Sequence, residues 1–422
     1  MKSFTFSVKA VIHQTIWTNR FIALVVGLLI STCVTWAGSL IATWDANSEP
    51  DLAGYIVCYG TQSANYTEQV DVKNSTTFIA EDLQDGVKYY FVIKAYDHSG
   101  NVSAPSTEVS AVVGSPMLVA MKEDKAIRLV WTPVHNCDTF EIFRSQNPYF
   151  TPTTAIATLS ATDHEYIDTH HFTSNQHETY YTVRALAGGQ TIHEYQTVGA
   201  YNIDIHTGLN LVSFPLIPAD PSVRASFADQ LTGGENSAEA DQLRFWNGEE
   251  YLVAWLYEGS AVEFNDTWIS AATGKETQHK VDPSAAFWIL VQEGHSETAL
   301  TITGCVPTEA ERTITLMQGH NFIGCIFPLT TSLEKTELYQ DGVMKGGVGS
   351  GESDILNAWD GTGYERAWVV DGVNDDLDGT WMDETGKQEA TVTFQPGKGY
   401  IIWIKGDNEC KVWTFPNPAF AD

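Results

Sequence analysis

The sequence predicts a mainly β chain: two β-sandwiches, then two tandem copies of a β-rich unit with one short helix each. Three observations carry this expectation. From about Gly38 onward, apolar and polar residues alternate in short runs parted by Gly, Asn, Asp and Ser clusters, the period of strands rather than helices. The 422 residues are too many for one ordinary core, while 43% apolar and 12% aromatic residues can fill several. The third observation is a duplication. ADQLRFWNGEEYLVAWLY, from Ala240 to Tyr257, returns as SDILNAWDGTGYERAWVV from Ser353 to Val370, displaced by 113 positions (240 to 353). Asp241 falls on Asp354, Trp246 on Trp359, Tyr251 on Tyr364, Trp255 on Trp368, Trp268 on Trp381 and Pro283 on Pro396. Upstream, GLNLVSFPL at Gly208 is echoed by GHNFIGCIFPL at Gly319. The expected divisions are 1–37, 38–114, 115–204, 205–305 and 313–419.

Residues 1–37 read as an export signal. Lys2, Lys9 and Arg20 flank or precede FIALVVGLLISTCV (Phe21–Val34), an apolar run of signal-peptide length, and Ala37, Gly38 and Ser39 place cleavage after Ala37. The run is shorter than the roughly 20 residues that cross a bilayer comfortably, so a retained anchor is the rival reading. Lipidation at Cys33 is set aside, because Ile30-Ser31-Thr32 lacks the small residue expected just before such a cysteine. With no second hydrophobic span and no sorting motif after Phe415, the mature chain is expected to be extracellular or at the cell surface, without membrane insertion. The periplasm is the alternative.

In 38–114, SLIATWDA, LAGYIVCYG, VDVKNSTTFIAEDL, VKYYFVIKAYD and TEVSAVV read as successive strands. Trp44 in the first, Leu83-Gln84-Asp85-Gly86-Val87-Lys88-Tyr89 at a corner, and the closing AYDHSGNVSAPS together resemble the fibronectin type III family in its bacterial form. The resemblance implies a sandwich with Trp44 in its core and the Tyr89 hydroxyl bonded to backbone at the corner. AIRLVWTPV, FEIFRS and ETYYTVRAL resemble a second, more divergent copy, with Trp131, Tyr180 and Tyr181 as structural residues and a long SQNPYFTPTTAI loop. No RGD occurs, so the family's best-known attachment motif is not carried over.

Each later unit opens on an apolar strand ending in Phe-Pro. A helix is expected at VRASFADQL, capped by Asp220 with Pro221 in its first turn, and its counterpart at TSLEKTELYQD from Thr331. Trp-Asn-Gly and Trp-Asp-Gly then mark hairpins, and DPSAAFWILV and QPGKGYIIWIK close the units as strands. The GxNLVSxPL-type openings resemble segments of other bacterial exported proteins, a likeness that implies no activity.

The charge balance excludes two partner classes. With 53 acidic against 23 basic residues, the surface repels nucleic-acid phosphates and anionic headgroups. Catalysis has no support: GxSxG, HExxH and a phosphate loop are all missing, and the twelve histidines are scattered, with only His170-His171 adjacent. No cofactor is expected. Five cysteines remain after Cys33, none at zinc or redox spacing; a bridge between two of Cys305, Cys325 and Cys410 is expected, with Cys58 a small buried hydrophobe.

Nine of the thirteen tryptophans lie from Trp246 onward, most near turns, where exposed aromatic faces could stack on sugar rings. Alternation in LRFW sets Leu243 and Phe245 on the face opposite Trp246, so Trp246 and Trp359 point away from their apolar neighbours. The candidate ligand residues are Trp246, Trp359, Asn247, Asp360, Tyr251 and Tyr364; core or inter-domain packing is the competing and preferred account of the indoles. In DGVNDDLDG, Asn374, Asp376 and Asp378 sit two apart before Gly379, as alternate oxygens do in a calcium loop. Thr385 stands where such a loop would end in Glu, and an acidic turn is the plainer reading. The function expected is that of an exported, non-catalytic adhesion or binding protein recognising polysaccharide or a surface protein. The alternatives are a structural subunit of a self-assembling layer, fibre or secreted complex, and an accessory to an extracellular enzyme.

Overall fold

The computed structural model describes residues 37–44, 49, 51–84, 87–106, 108–114, 117–123, 125–170, 177–227, 230–261, 264–295, 298–406 and 410–420. The export-signal reading falls outside the described residues, save for Ala37. The protein is mainly β.

The first sandwich contains β1 (Ala37–Thr43), β2 (Leu52–Gly60), β3 (Glu68–Lys73), β4 (Thr77–Gln84), β5 (Lys88–Asp97) and β6 (Val109–Val112). A β1-β4 sheet packs on a β3-β2-β5-β6 sheet, every pair antiparallel. Trp44 lies in the core beside Tyr55, edge to face at 5.6 Å. The Gln84 amide donates to the Tyr89 hydroxyl at 3.3 Å, the corner bond expected there. The second sandwich contains β7 (Leu118–Glu123), β8 (Ala126–Trp131), β9 (Thr139–Ser145), β10 (Ala157–Ser160), β11 (Glu165–Asp168), β12 (Glu178–Ala187), β13 (Gln190–Glu194) and β14 (Val198–Ile205). Its core holds Trp131, Phe140, Ile142, Tyr181 and Val183. Ile41 of the first sandwich packs with Val119 and Val130 of the second.

The duplicated units repeat one topology. The first has β15 (Gly208–Val212), α1 (Val223–Phe227), β16 (Gln242–Trp246), β17 (Tyr251–Tyr257), β18 (Thr267–Ser270), β19 (Phe287–Val291) and β20 (Thr298–Cys305). The second has β21 (Glu311–Leu316), β22 (Gly319–Gly324), β23 (Thr331–Ser332), β24 (Ile355–Trp359), β25 (Tyr364–Val369), β26 (Trp381–Asp383), β27 (Thr393–Phe394), β28 (Gly399–Ile404) and β29 (Lys411–Pro416). Their five-stranded sheets run β15-β19-β16-β17-β18 and β22-β28-β24-β25-β26. Across each sheet lies a ribbon, β14-β20 or β21-β29. The core between sheet and ribbon takes the inward residues of both, Leu243, Phe287, Ile289, Leu300 and Ile302 in the first unit. Leu356, Ile402, Trp413 and Phe415 do the same in the second.

Two features depart from the sequence reading. The helix cap is Ser222, whose Oγ accepts the Ala225 amide at 3.3 Å, while Asp220 accepts the Ser222 amide just before it. The second unit has no α-helix here among the described residues: β23 occupies Thr331–Ser332, and only a 3-10 turn follows over Leu333–Thr336. That turn ends at Glu337 in the left-handed conformation, φ 60°, which stops further winding. Among the described residues, no helix is long and apolar enough to cross a membrane.

The boundary expected at 204/205 falls at the end of β14. That strand pairs with β12 of the second sandwich through Val198–Tyr201, and with β20 along its whole length. One strand therefore belongs to both bodies.

Candidate functional site

The two units meet through the outer faces of their sheets, and the contact is reciprocal. Trp246 of the first donates its indole N–H to the His320 carbonyl at 3.0 Å. Trp359 of the second donates to the Leu209 carbonyl at 2.9 Å. His320 and Leu209 hold equivalent places after Gly319 and Gly208, so each unit caps the other at the same point. Matching backbone bonds run from Ser213 N to Gly397 O at 3.0 Å and from Gly324 N to Ser284 O at 2.9 Å. Leu211, Ala286, Trp288 and Ile401 form a small buried core between the units, with Phe322 and Trp359 against it. This is a pseudo-two-fold interface within one chain, the geometry of an isologous dimer.

The candidate residues divide around this seam. Trp246 and Trp359 are half-buried in it, each against its hairpin tyrosine, Tyr251 at 5.0 Å and Tyr364 at 5.1 Å. Tyr251 and Tyr364 remain 42% and 38% exposed at its rims. Asn247 and Asp360 make the turns. Asn247 Oδ1 accepts the Glu249 and Glu250 amides, and Asp360 Oδ1 accepts those of Thr362 and Gly363. Those bonds hold the Asp360 carboxyl below its ordinary range. Gly248 and Gly361 follow at φ 102°, a backbone conformation that favours glycine.

Register builds a cleft beside the seam on the second unit. Across β22, β28, β24 and β25, one outer row is His320, Trp403, Ile355 and Trp368; the next is Phe322, Ile401, Asn357 and Arg366. Unit one covers the Phe322–Ile401 side. On the other side the 383–387 turn folds over Trp368, whose indole N–H reaches the Asp383 carbonyl at 2.8 Å. Between these walls lies a cavity of about 360 Å³ that includes His320, Tyr364, Arg366, Glu384, Trp403 and Lys405 in its lining. Trp403 is 40% exposed. The His320 ring stacks against it at 5.6 Å, and the Lys405 ammonium sits 4.8 Å from its ring centre. Burial pulls the Lys405 ammonium below the usual lysine value, opposed by Asp354. Asp354 itself is buried and accepts the Lys405 and Lys345 amides, at 2.7 and 2.8 Å, which fixes the strand end carrying Lys405.

The sequence reading picked out Tyr364 but missed His320, Arg366, Trp403 and Lys405. GYIIWIK reads as a continuous apolar strand, which hides that Trp403 faces outward. The signal lay in the internal alignment: Trp403 and Lys405 stand where the first unit has Leu290 and Gln292, and Arg366 where it has Val253.

The other candidates are quickly placed. Asn374 Oδ1 accepts the Asp376 and Leu377 amides, and Asp378 Oδ1 those of Val373 and Asn374, so both side chains close their own loop. Among the described residues, no three His, Cys, Asp or Glu are grouped to hold a metal ion. The expected bridge among Cys305, Cys325 and Cys410 is not formed; these three, with Cys58 and Cys137, are free thiols. The physical reason is placement: Cys305 ends the ribbon of the first unit, Cys325 is sealed in the second core and Cys410 is exposed. Burial pushes the Cys305 thiol up to about 11 and that of Cys325 up to about 12. The long loop of the second sandwich reaches the C-terminal segment instead, with the Tyr149 hydroxyl donating to the Pro307 carbonyl and accepting from Asn417 Nδ2, both at 2.9 Å.

No family model matches the chain. No curated protein matches it. Among solved structures, the chain is similar to a two-domain fibronectin type-III segment from chicken tenascin, at 17% identity and a TM-score of 0.16, over 38% of this chain and 90% of that one.

Proposed function

We propose that this is an exported, non-catalytic binding or adhesion protein whose C-terminal pair of units recognises a polysaccharide. The observation that supports the reading most is the cleft beside the seam: exposed aromatic surface from Trp403 and Tyr364 beside hydrogen-bonding side chains, on a sheet braced by a second copy of itself. Sugar rings bind such sites by laying apolar C–H faces on aromatic rings while polar neighbours take their hydroxyls. The leader at residues 1–37 supports export, and the β14 strand common to two bodies would fix the units to the second sandwich. Binding of the full chain to an immobilised polysaccharide panel tests this. Saturable binding that Trp403→Ala removes, with thermal unfolding unchanged, is the expected result; no binding to any panel member overturns it.

A second reading, a subunit of an assembly, rests on a different observation. In the first unit β14 is paired on both sides, whereas its counterpart β21 pairs only with β29 among the described strands. An open strand edge is a template for another chain. Concentration-dependent sedimentation, abolished by Thr313→Pro on that edge, would favour assembly over glycan binding.

A further inference from the structure

The cleft beside Trp403 reverses the charge of the rest of the molecule. The chain carries 53 acidic residues against 23 Lys and Arg, yet the cleft sets Arg366 and Lys405, with the His320 ring alongside, against one carboxylate, Glu384. Arg366 is exposed, next to Asn357 across the β24–β25 pair. Asn357 is itself held by a 3.0 Å bond to the Ile401 carbonyl. Arg366 therefore offers a planar pair of donors on a fixed strand, suited to a carboxylate or sulfate.

The comparison within the chain points the same way. The hairpin aromatics at the seam keep their character between units, Trp246 and Trp359, Tyr251 and Tyr364, and so do the buried clamps Asp241 and Asp354. Positions that line the cleft do not. His320, Arg366, Trp403 and Lys405 replace Leu209, Val253, Leu290 and Gln292, so every change adds a positive or hydrogen-bonding group or a larger aromatic surface. In the first unit Arg244, at the place of Asn357, is spent on the Gln242 side chain at 2.9 Å. The scaffold is common to both copies, and the cleft chemistry belongs to the second.

We propose that this cleft binds an anionic pyranose, a sugar ring bearing a carboxylate or sulfate, set in an otherwise neutral glycan. The inference rests on the polysaccharide reading and narrows it. The ring lies on the exposed indole surface of Trp403 and the anion meets Arg366, with the Lys405 ammonium, which also donates to the Ser350 carbonyl, adding its charge beside it. Long polyanions are disfavoured, because a chain leaving the cleft runs over an acidic surface that repels it.

Calorimetric titration of the full chain with trigalacturonate, its methyl ester and a sulfated galactose trisaccharide tests the proposal. The ester keeps the ring and removes the charge. The expected result is that one or both anionic sugars bind at least about ten-fold more tightly than the ester. Arg366→Gln with Lys405→Gln removes that preference, and Trp403→Ala weakens all three ligands. Equal affinity for the acids and the ester overturns the anionic preference while leaving a neutral-glycan site, still lost in Trp403→Ala. No binding of any of the three, when the polysaccharide panel does bind through Trp403, also overturns it. No binding to the panel either overturns the underlying reading too. Circular dichroism of each variant separates lost binding from lost fold.

Discussion

Buried carboxylates act as backbone clamps at three places. Asp241 and Asp354 hold equivalent positions, and each accepts two amides that would otherwise be orphaned, one just past a strand end and one from a neighbouring loop: Gln292 and Thr232, Lys405 and Lys345. Removing one leaves buried donors without partners, each costing about 1–3 kcal/mol. Asp354→Ala is therefore expected to lower unfolding stability by about 2–4 kcal/mol in urea titration followed by tryptophan fluorescence, and to loosen the strand end that carries Lys405. Asp168 is the third clamp. Burial raises its carboxyl, but donation from the Tyr181 hydroxyl, the His170 amide and Arg144 outweighs this and holds it below the ordinary range. The sign follows from linkage: a carboxyl lower in the folded than in the unfolded state contributes fully above its unfolded value of about 3.9. That contribution disappears as the pH falls through the folded value. The second sandwich should lose stability in acid from about pH 4 downward. In Asp168→Asn this step should be missing, with a lower melting temperature at pH 7. A variant with the same acid profile as the parent would refute the assignment.

The elements of the repeated units were largely legible, because each is specified locally. The hairpins follow from Trp-Asn-Gly and Trp-Asp-Gly, where one side-chain oxygen and one glycine form the turn. Alternation placed Trp246 on the face opposite Leu243 and Phe245, where it lies. What covers that face was not legible. The Trp359 acceptor is 150 positions away at Leu209, and no local period records such a contact. The same limit hid the second role of β14, whereas the outward face of Trp403 was hidden by the unbroken apolar run around it. The seam also demands small residues. A Cβ added at Gly399 would come within 2.6 Å of Ala286 Cβ and 2.8 Å of Leu211 Cγ, both in the other unit. Both atoms belong to the small buried core that also holds Trp288, whose ring meets that of Trp359 at 5.3 Å between centres. Gly399→Ala should destabilise the pair by about 1–3 kcal/mol, while Gly294→Ala tests backbone strain alone, since it has open space around it. A gain in protection at the Trp246 indole N–H in hydrogen-exchange NMR of Gly399→Ala would contradict the seam; a loss is expected.

At the scale of the whole molecule, the bodies are not beads on a string. β14 carries eight register pairs to β20, from Val198–Cys305 to Ile205–Thr298, and its first half also closes the second sandwich. Ile203 and Ile205 of that strand lie in the core of the first unit. A fragment starting at Thr207 therefore contains the whole duplication read from sequence yet lacks a wall of its first core. It exposes the apolar side of β20, Leu300 and Ile302, and leaves that strand with an unpaired edge. Such an edge invites aggregation. Starting at Ser115 keeps β14 with both of its partners. Thr207–Asp422 is expected to be poorly soluble or to unfold well below the full chain, whereas Ser115–Asp422 should keep one cooperative transition covering the second sandwich and both units. Calorimetry decides between this and independent bodies: a Thr207–Asp422 fragment that melts like the corresponding transition of the full chain would mean that β14 is only a linker. The consequence reaches the cleft. The first unit braces the Phe322–Ile401 side of the second, so a chain deprived of β14 should lose both its first core and the wall that shapes the binding face.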